Sequence, residues 1–280
     1  MIRIGLSSAA FLTRSPADII RLAREMGFDA IEWAGDAHVA PGNDTAAAQI
    51  LMDTLRAGLT VASYAPLYRV DPKGETGLGF AAILSAAAAL HAPIVRVFAG
   101  GSAKKPGMPT RANGNGFETA AEKTEDRAAL VAELRRLGDL ADPRGVTICL
   151  SLGNRTALHS YEAARALVAE AAHPFIRAAW EPLPGATMEE ATSALSAGDS
   201  GYALLMARRC DRDGRASALR EEADEWRSRL STFATRAGDP GMGRFVLLGR
   251  MGEDDPERLA DDARLLREIA ASLNPAKRSQ

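Results

Sequence analysis

Val146-Thr-Ile-Cys-Leu-Ser151 and Arg244-Phe-Val-Leu-Leu-Gly249 are short apolar runs, and each follows a charged, helix-like stretch. That pattern reads as two late strands of a parallel barrel, with helices between the strands. Working outward, the same alternation fills the chain. Strands are expected at Ile2–Leu6, Ala30–Trp33, Leu59–Tyr64, Ile94–Phe98, Val146–Leu150, Ile176–Trp180, Tyr202–Ala207 and Phe245–Leu248. Helices are expected at 16–26, 44–57, 78–91, 119–139, 159–172, 187–196, 215–237 and 256–272. Eight strand–helix units in 280 residues fit an α/β fold with a single eight-stranded parallel barrel, which typically takes about 250 residues. The rival is an open doubly wound sheet. No Gly-rich fingerprint follows the first strand, which counts against it.

Local signals mark helix boundaries. Ser15-Pro16 and Asp255-Pro256 each offer an N-cap followed by proline at the first helical position, and Gly27 is a stop for the first helix. Residues 1–273 are read as one domain and 274–280 as a polar tail. The longest irregular stretch, Gly100 to Phe117, follows the fourth strand and reads either as a lid or as a flexible insertion. The composition, 46% hydrophobic and 25% charged, fits a globular chain with a sizeable core. A formal net charge of −2 gives no electrostatic case for nucleic acid or an anionic membrane. No apolar stretch approaches the roughly 18 residues of a membrane span. The opening Met1-Ile-Arg-Ile-Gly-Leu6 reads as a strand rather than a signal peptide, so a cytoplasmic location is expected. Cys149 and Cys210 lack metal-ligand spacing and read as buried thiols. Asn43-Asp-Thr and Asn154-Arg-Thr match a glycosylation sequon and are read as chance.

Several segments, taken in order, resemble one family. Gly27-Phe-Asp-Ala-Ile-Glu-Trp33 looks like its second strand, and Gly35-Asp-Ala-His38 like the loop that follows. Val61-Ala-Ser-Tyr64 and Val95-Arg-Val-Phe-Ala-Gly100 look like its third and fourth strands. His173-Pro-Phe-Ile-Arg-Ala-Ala-Trp180-Glu-Pro182 looks like the sixth, and Asp254-Asp-Pro-Glu-Arg-Leu259 like the start of the last helix. The chain thus resembles the xylose-isomerase-like TIM-barrel superfamily, which contains sugar phosphate isomerases and epimerases. The resemblance implies a divalent metal held by carboxylates and a His from strands five to eight. At those positions this chain has Ser151, Glu181, a seventh strand without His, and Gly249. One ligand of four remains, so no cofactor is expected although a divalent metal is the family norm.

Candidate chemistry gathers at the strand ends. Glu32, Glu181 and His38 are the catalytic candidates, as acid/base or hydroxyl-binding groups. Glu32 reads equally as a salt-bridged acid, and His38 as a surface-loop His. Trp33, Tyr64, Arg96, Trp180, Arg208 and Arg250 are the substrate-binding candidates. Arg96 lies between Val95 and Val97, so its charge needs a partner, with Glu32 or Glu181 in reach. Arg208, Arg209 and Arg250 read either as solvated loop charge or, with Lys104 and Lys105 on the long loop, as a mouth suited to anions. His91, His159 and His173 read as structural or surface residues.

The expected partner is a small sugar, sugar phosphate or sugar acid, with no nucleic acid and no membrane; a homo-oligomer stays open. Two functions are carried forward. One is a divergent isomerase or epimerase acting on a small sugar or hydroxycarbonyl compound. The other is a non-catalytic barrel that binds a sugar or an acid.

Overall fold

The computed structural model describes residues 1–71, 79–100, 120–152, 156–183, 187–196, 202–207, 218–236 and 244–273. Its strands are β1 (Ile2–Ser7), β2 (Ala30–Ala34), β3 (Thr60–Ala65), β4 (Arg69–Val70), β5 (Ile94–Ala99), β6 (Thr147–Ser151), β7 (Ile176–Trp180), β8 (Tyr202–Ala207) and β9 (Arg244–Leu248). Neighbouring strands pair in parallel, β1 joins β9, and a β3–β5 pairing closes the circle. The result is a closed eight-stranded parallel barrel, as the alternation predicts. The two-residue β4 prolongs the track of β3. Proline has no N–H to give a ladder, so pairing breaks at Pro66 and resumes where Arg69 meets Phe98 on β5.

Helices α1 (Pro16–Glu25), α2 (Asp44–Arg56), α3 (Phe80–Ala89), α4 (Ala120–Ala141), α5 (Tyr161–Ala171), α6 (Met188–Ser196), α7 (Ala223–Arg236) and α8 (Pro256–Ser272) surround the barrel. Ser15 and Asp255 accept the expected capping bonds from Asp18 and Arg258. Asn43 caps α2 by accepting from Ala46 N–H, which explains that asparagine without glycosylation. The seventh helix begins at Ala223, later than expected, because Leu219–Glu222 form a 3-10 turn before it. Among the described residues no helix is long and apolar enough to cross a membrane.

Two cores result. Ala30, Ala62, Ile94, Cys149, Ala179, Leu204 and Leu247 fill the barrel interior. A larger core lies between strands and helices and holds Trp33, Tyr64, Trp180, Trp226 and Phe233. Cys149 is a buried free thiol, as expected, and burial pushes its pKa up. Register shifts beside Ala62 and Ala203 mark bulges in β3 and β8, where two successive residues oppose one on the neighbouring strand. The segments 101–117 and 274–280, with Arg208, Arg209, Cys210 and Asn154, lie outside the described residues.

Candidate active site

One turn above the apolar barrel layer, the interior becomes polar. Ser7 ends β1, Glu32 lies in β2, Ser63 in β3, Arg96 in β5, and Ser151 ends β6; Glu181 directly follows β7. All sit toward the C-terminal ends of the strands, the end at which barrels of this kind build their sites. Ser63 turns inward because the bulge at Ala62 advances the side-chain alternation by one residue, so Ala62 and Ser63 both contribute to the interior.

Glu32 is completely buried and fully bonded. Ser7 Oγ donates to Oε1 at 2.8 Å, and Ser63 Oγ donates to Oε2 at 2.8 Å. Arg96 grips the same carboxylate with a fork: Nε to Oε2 at 2.8 Å and Nη2 to Oε1 at 2.7 Å. Four donors on two oxygens satisfy the anion, the condition under which a buried carboxylate is tolerable. Burial alone would raise its pKa. The charge of Arg96 and the bonds from Arg96, Ser63 and Ser7 outweigh that and hold it below the usual value. Arg96 has the mirror-image balance: burial works against its charge, Glu32 and Glu181 favour it, and its pKa rises. Its Nη1 donates to Ser151 Oγ at 2.9 Å.

Above this network lies a cavity of about 120 Å³. Ser7, Arg96, Ser151, Glu181, Met206 and Gly249 line it, with Asp36, Phe98 and Arg250 toward the rim. Glu181 is 3% exposed, and Tyr161 fixes its carbonyl and the backbone that follows. The Tyr161 hydroxyl donates to the Glu181 carbonyl at 3.0 Å and accepts from Leu183 N–H at 3.2 Å. Gly249 has φ of 109°, and a Cβ there would lie 3.1 Å from both Ala10 Cβ and the Ser7 carbonyl. A side chain at 249 would therefore strain the backbone and crowd its neighbours. Among the described residues no three of His, Cys, Asp and Glu converge as a metal-ligand group. A larger groove of about 500 Å³ lies at the opposite end, between the start of β1 and α8, away from this network.

The residues read from the sequence as site candidates separate clearly. Glu32, Arg96, Glu181 and Arg250 come together at the mouth, Glu32 as the partner of Arg96 rather than on the cavity wall. Trp33, Tyr64 and Trp180 do not reach the cavity. They are fully buried in the outer core because strand alternation turns them away from Glu32, Ser63 and Glu181. The Tyr64 hydroxyl donates to the Val39 carbonyl at 2.8 Å, and Trp180 Nε1 donates to the Ala191 carbonyl at 3.0 Å. His38 is half-buried in the loop after β2, its ring edge-on to Trp33. Its Nδ1 lies 3.0 Å from Ser8 Oγ, which accepts from Ala34 N–H, and its Nε2 lies 3.2 Å from the Phe11 carbonyl. That pattern fits a neutral ring with the proton on Nε2, and burial lowers its pKa accordingly. Arg208 lies outside the described residues. Sequence reasoning passed over Ser7, Ser63 and Asp36. Ser7 and Ser63 carried a signal as hydroxyls within otherwise apolar strands.

Comparison with known proteins places this geometry. No curated protein matches the chain significantly. Solved structures with the same fold include a D-psicose 3-epimerase from Clostridium cellulolyticum H10 with D-tagatose. It has a TM-score of 0.68 and 13% identity, over 97% of this chain and 99% of that one. A xylose isomerase-like TIM barrel protein from Mycobacterium smegmatis, in complex with magnesium, has a TM-score of 0.66 and 18% identity over 97% and 98%. A probable 3-DHS dehydratase involved in petrobactin synthesis, from Bacillus anthracis, has 0.68 and 14% over 95% and 98%. At such identities the likeness is one of fold, and the neighbours' differing reactions underline this. The model of the xylose isomerase-like TIM barrel family matches residues 20–183, more than half of the sequence. The chain belongs to the xylose isomerase-like TIM barrel family.

Proposed function

We propose that the barrel mouth binds a small sugar, sugar phosphate, sugar acid or related hydroxycarbonyl compound, and that the protein is an isomerase or epimerase in which Glu181 moves a proton beside the ligand's carbonyl. The observation that carries this reading is the convergence of Glu181 and Arg96 on one small cavity at the strand ends. A carboxylate placed there can take the proton from the carbon next to a carbonyl. The electron pair then moves onto the carbonyl oxygen, and guanidinium N–H groups aimed at that oxygen stabilise the enediolate. Returning the proton to the former carbonyl carbon, while the neighbouring hydroxyl passes its own proton to the enediolate oxygen and becomes the new carbonyl, completes an isomerisation with one base. Epimerisation needs a second acid on the opposite face, and Asp36 at the exposed rim is the described candidate. Glu32 serves to orient Arg96, since both its oxygens are engaged. Arg250 is placed to meet an acidic group on the ligand. His38 supports the mouth through Ser8 and the Phe11 carbonyl.

The family and the magnesium-bound neighbour raise the question of a divalent ion. The described residues do not fit one. The Ser151 hydroxyl already accepts from Arg96, Gly249 offers no donor, and β8 ends in Met206 and Ala207. A buried guanidinium also stands beside the remaining carboxylates.

A second reading is a non-catalytic sugar- or acid-binding barrel. The neutralisation of Glu32 by Arg96 favours it, because it leaves Glu181 as the described buried carboxylate on the cavity. One experiment separates the two. The protein is incubated in D2O with D-fructose, D-tagatose, their phosphates and the corresponding sugar acids, and deuterium beside the carbonyl is followed by NMR. Exchange that is lost in Glu181→Gln supports the enzyme. Calorimetric binding without exchange supports the binding barrel. Neither binding nor exchange across the panel would contradict both.

A further inference from the structure

The polar layer is a cage of oxygens around a cation. Ser7, Glu32, Ser63, Ser151 and Glu181 supply hydroxyls and carboxylates from five strand ends, none more than 3% exposed, with the Ser7 and Ser63 hydroxyls donating to Glu32. Arg96, from a sixth strand, puts its guanidinium among them. Glu32 takes Nε and Nη2, Ser151 takes Nη1, and the charge of Glu181 acts on the same group. Hard oxygen donors of this kind are what a divalent cation requires. Without the guanidinium, the layer would hold two buried carboxylates and three hydroxyls, with half-buried Arg250 as the described cation at the rim. A guanidinium keeps its proton at every pH a folded protein survives, so the cage is filled under all ordinary conditions.

We propose that Arg96 is the resident cation of this cage: it fills the place a divalent ion would take and excludes such an ion. It also presents its remaining N–H groups as the site's electrophile. Of five guanidinium N–H groups, three are engaged, and two have no partner among the described residues. These two are the groups available to a ligand oxygen at the cavity that Arg96 lines. The inference deepens the isomerase reading by naming its electrophile, but its test needs no substrate and can fail separately.

The test uses the full chain with Mn2+ alone as the probe. Wild-type protein binds no stoichiometric Mn2+ by calorimetry and electron paramagnetic resonance. Arg96→Gln opens the cage and binds one Mn2+ per chain. At about 100 times its Kd, Mn2+ raises the Tm of that variant by roughly 5 °C and leaves wild type unmoved. Glu32→Gln/Arg96→Gln removes a cage carboxylate as well and loses the effect. One Mn2+ per wild-type chain bound through Glu181, or an Arg96→Gln variant indifferent to Mn2+, would overturn the proposal. Should Arg96→Gln fail to fold alone, folding recovered by Mn2+ supports the cage. Failure to recover, with Glu32→Gln/Arg96→Gln folded, contradicts it. Absence of deuterium exchange in wild-type protein, with these results intact, would remove the isomerase and leave the cage.

Discussion

The two faces of the same strand ends differ completely. On the inner face Glu32, Ser63 and Glu181 build a charged, hydrogen-bonded layer beside a cavity. One residue away on the outer face, Trp33, Tyr64 and Trp180 pack against the helices. Trp180 stacks on Tyr161 with centroids 6.2 Å apart, meets Trp226 edge-on, and lies under the Arg229 guanidinium. Chemistry is thus held by neighbours whose own work is packing. Tyr161 serves both faces, stacking on Trp180 while clamping the backbone around Glu181.

Truncation on the outer face should have a large effect. Trp180→Ala removes a fully buried indole together with its ring contacts, and a loss of about 3–5 kcal/mol is expected in urea or guanidinium unfolding. A loss below about 1 kcal/mol would show that the outer face does not support the inner one.

A smaller effect is expected at the cavity wall. Gly249→Ala introduces a Cβ at positive φ, near Ala10 and the Ser7 carbonyl. It should cost roughly 1–3 kcal/mol. Neutral stability on Gly249→Ala would mean that this turn relaxes easily, and that a longer side chain could also be accommodated.

The smallest effect at neutral pH belongs to acid titration. The folded-state pKa of Glu32 lies below its unfolded value, so its contribution is fully present above the unfolded pKa. It is lost as pH falls below the ordinary carboxylate range and through the depressed folded value. The groups acting on it are Arg96, Ser63 and Ser7. Glu32→Gln/Arg96→Met should therefore show a shallower acid limb than wild type in unfolding followed against pH. Parallel limbs would detach Glu32 from acid sensitivity.

Most of the fold could be read in the sequence, because eight apolar runs alternate with capped helices and each survives as a strand of the barrel. Pro66 and the short β4 escaped notice, since a two-residue strand has no period to detect. The site was half legible. An Arg between two valines inside a strand demanded a partner, and Glu32 supplies it. Naming both members of Glu32/Trp33 and Trp180/Glu181 as site residues conflicts with strand alternation, which sends neighbours to opposite faces. Ser63 could not be placed by alternation alone, because the bulge at Ala62 resets the phase and no local residue preference announces it. His38 was visible as a titratable side chain, but its partners, Ser8 and Phe11, lie about 30 residues earlier and meet it only after folding.

The central claim is that Glu32 and Arg96 act as one buried unit that organises the mouth. A double-mutant cycle tests it most directly, comparing the unfolding free energies of wild type, Glu32→Gln, Arg96→Met and the double variant. Each single change strands a buried charge and should cost about 3–5 kcal/mol, whereas the double variant should lose far less than the sum. A coupling energy of about 3 kcal/mol is the expected result. Additive losses, with coupling near zero, would contradict the account.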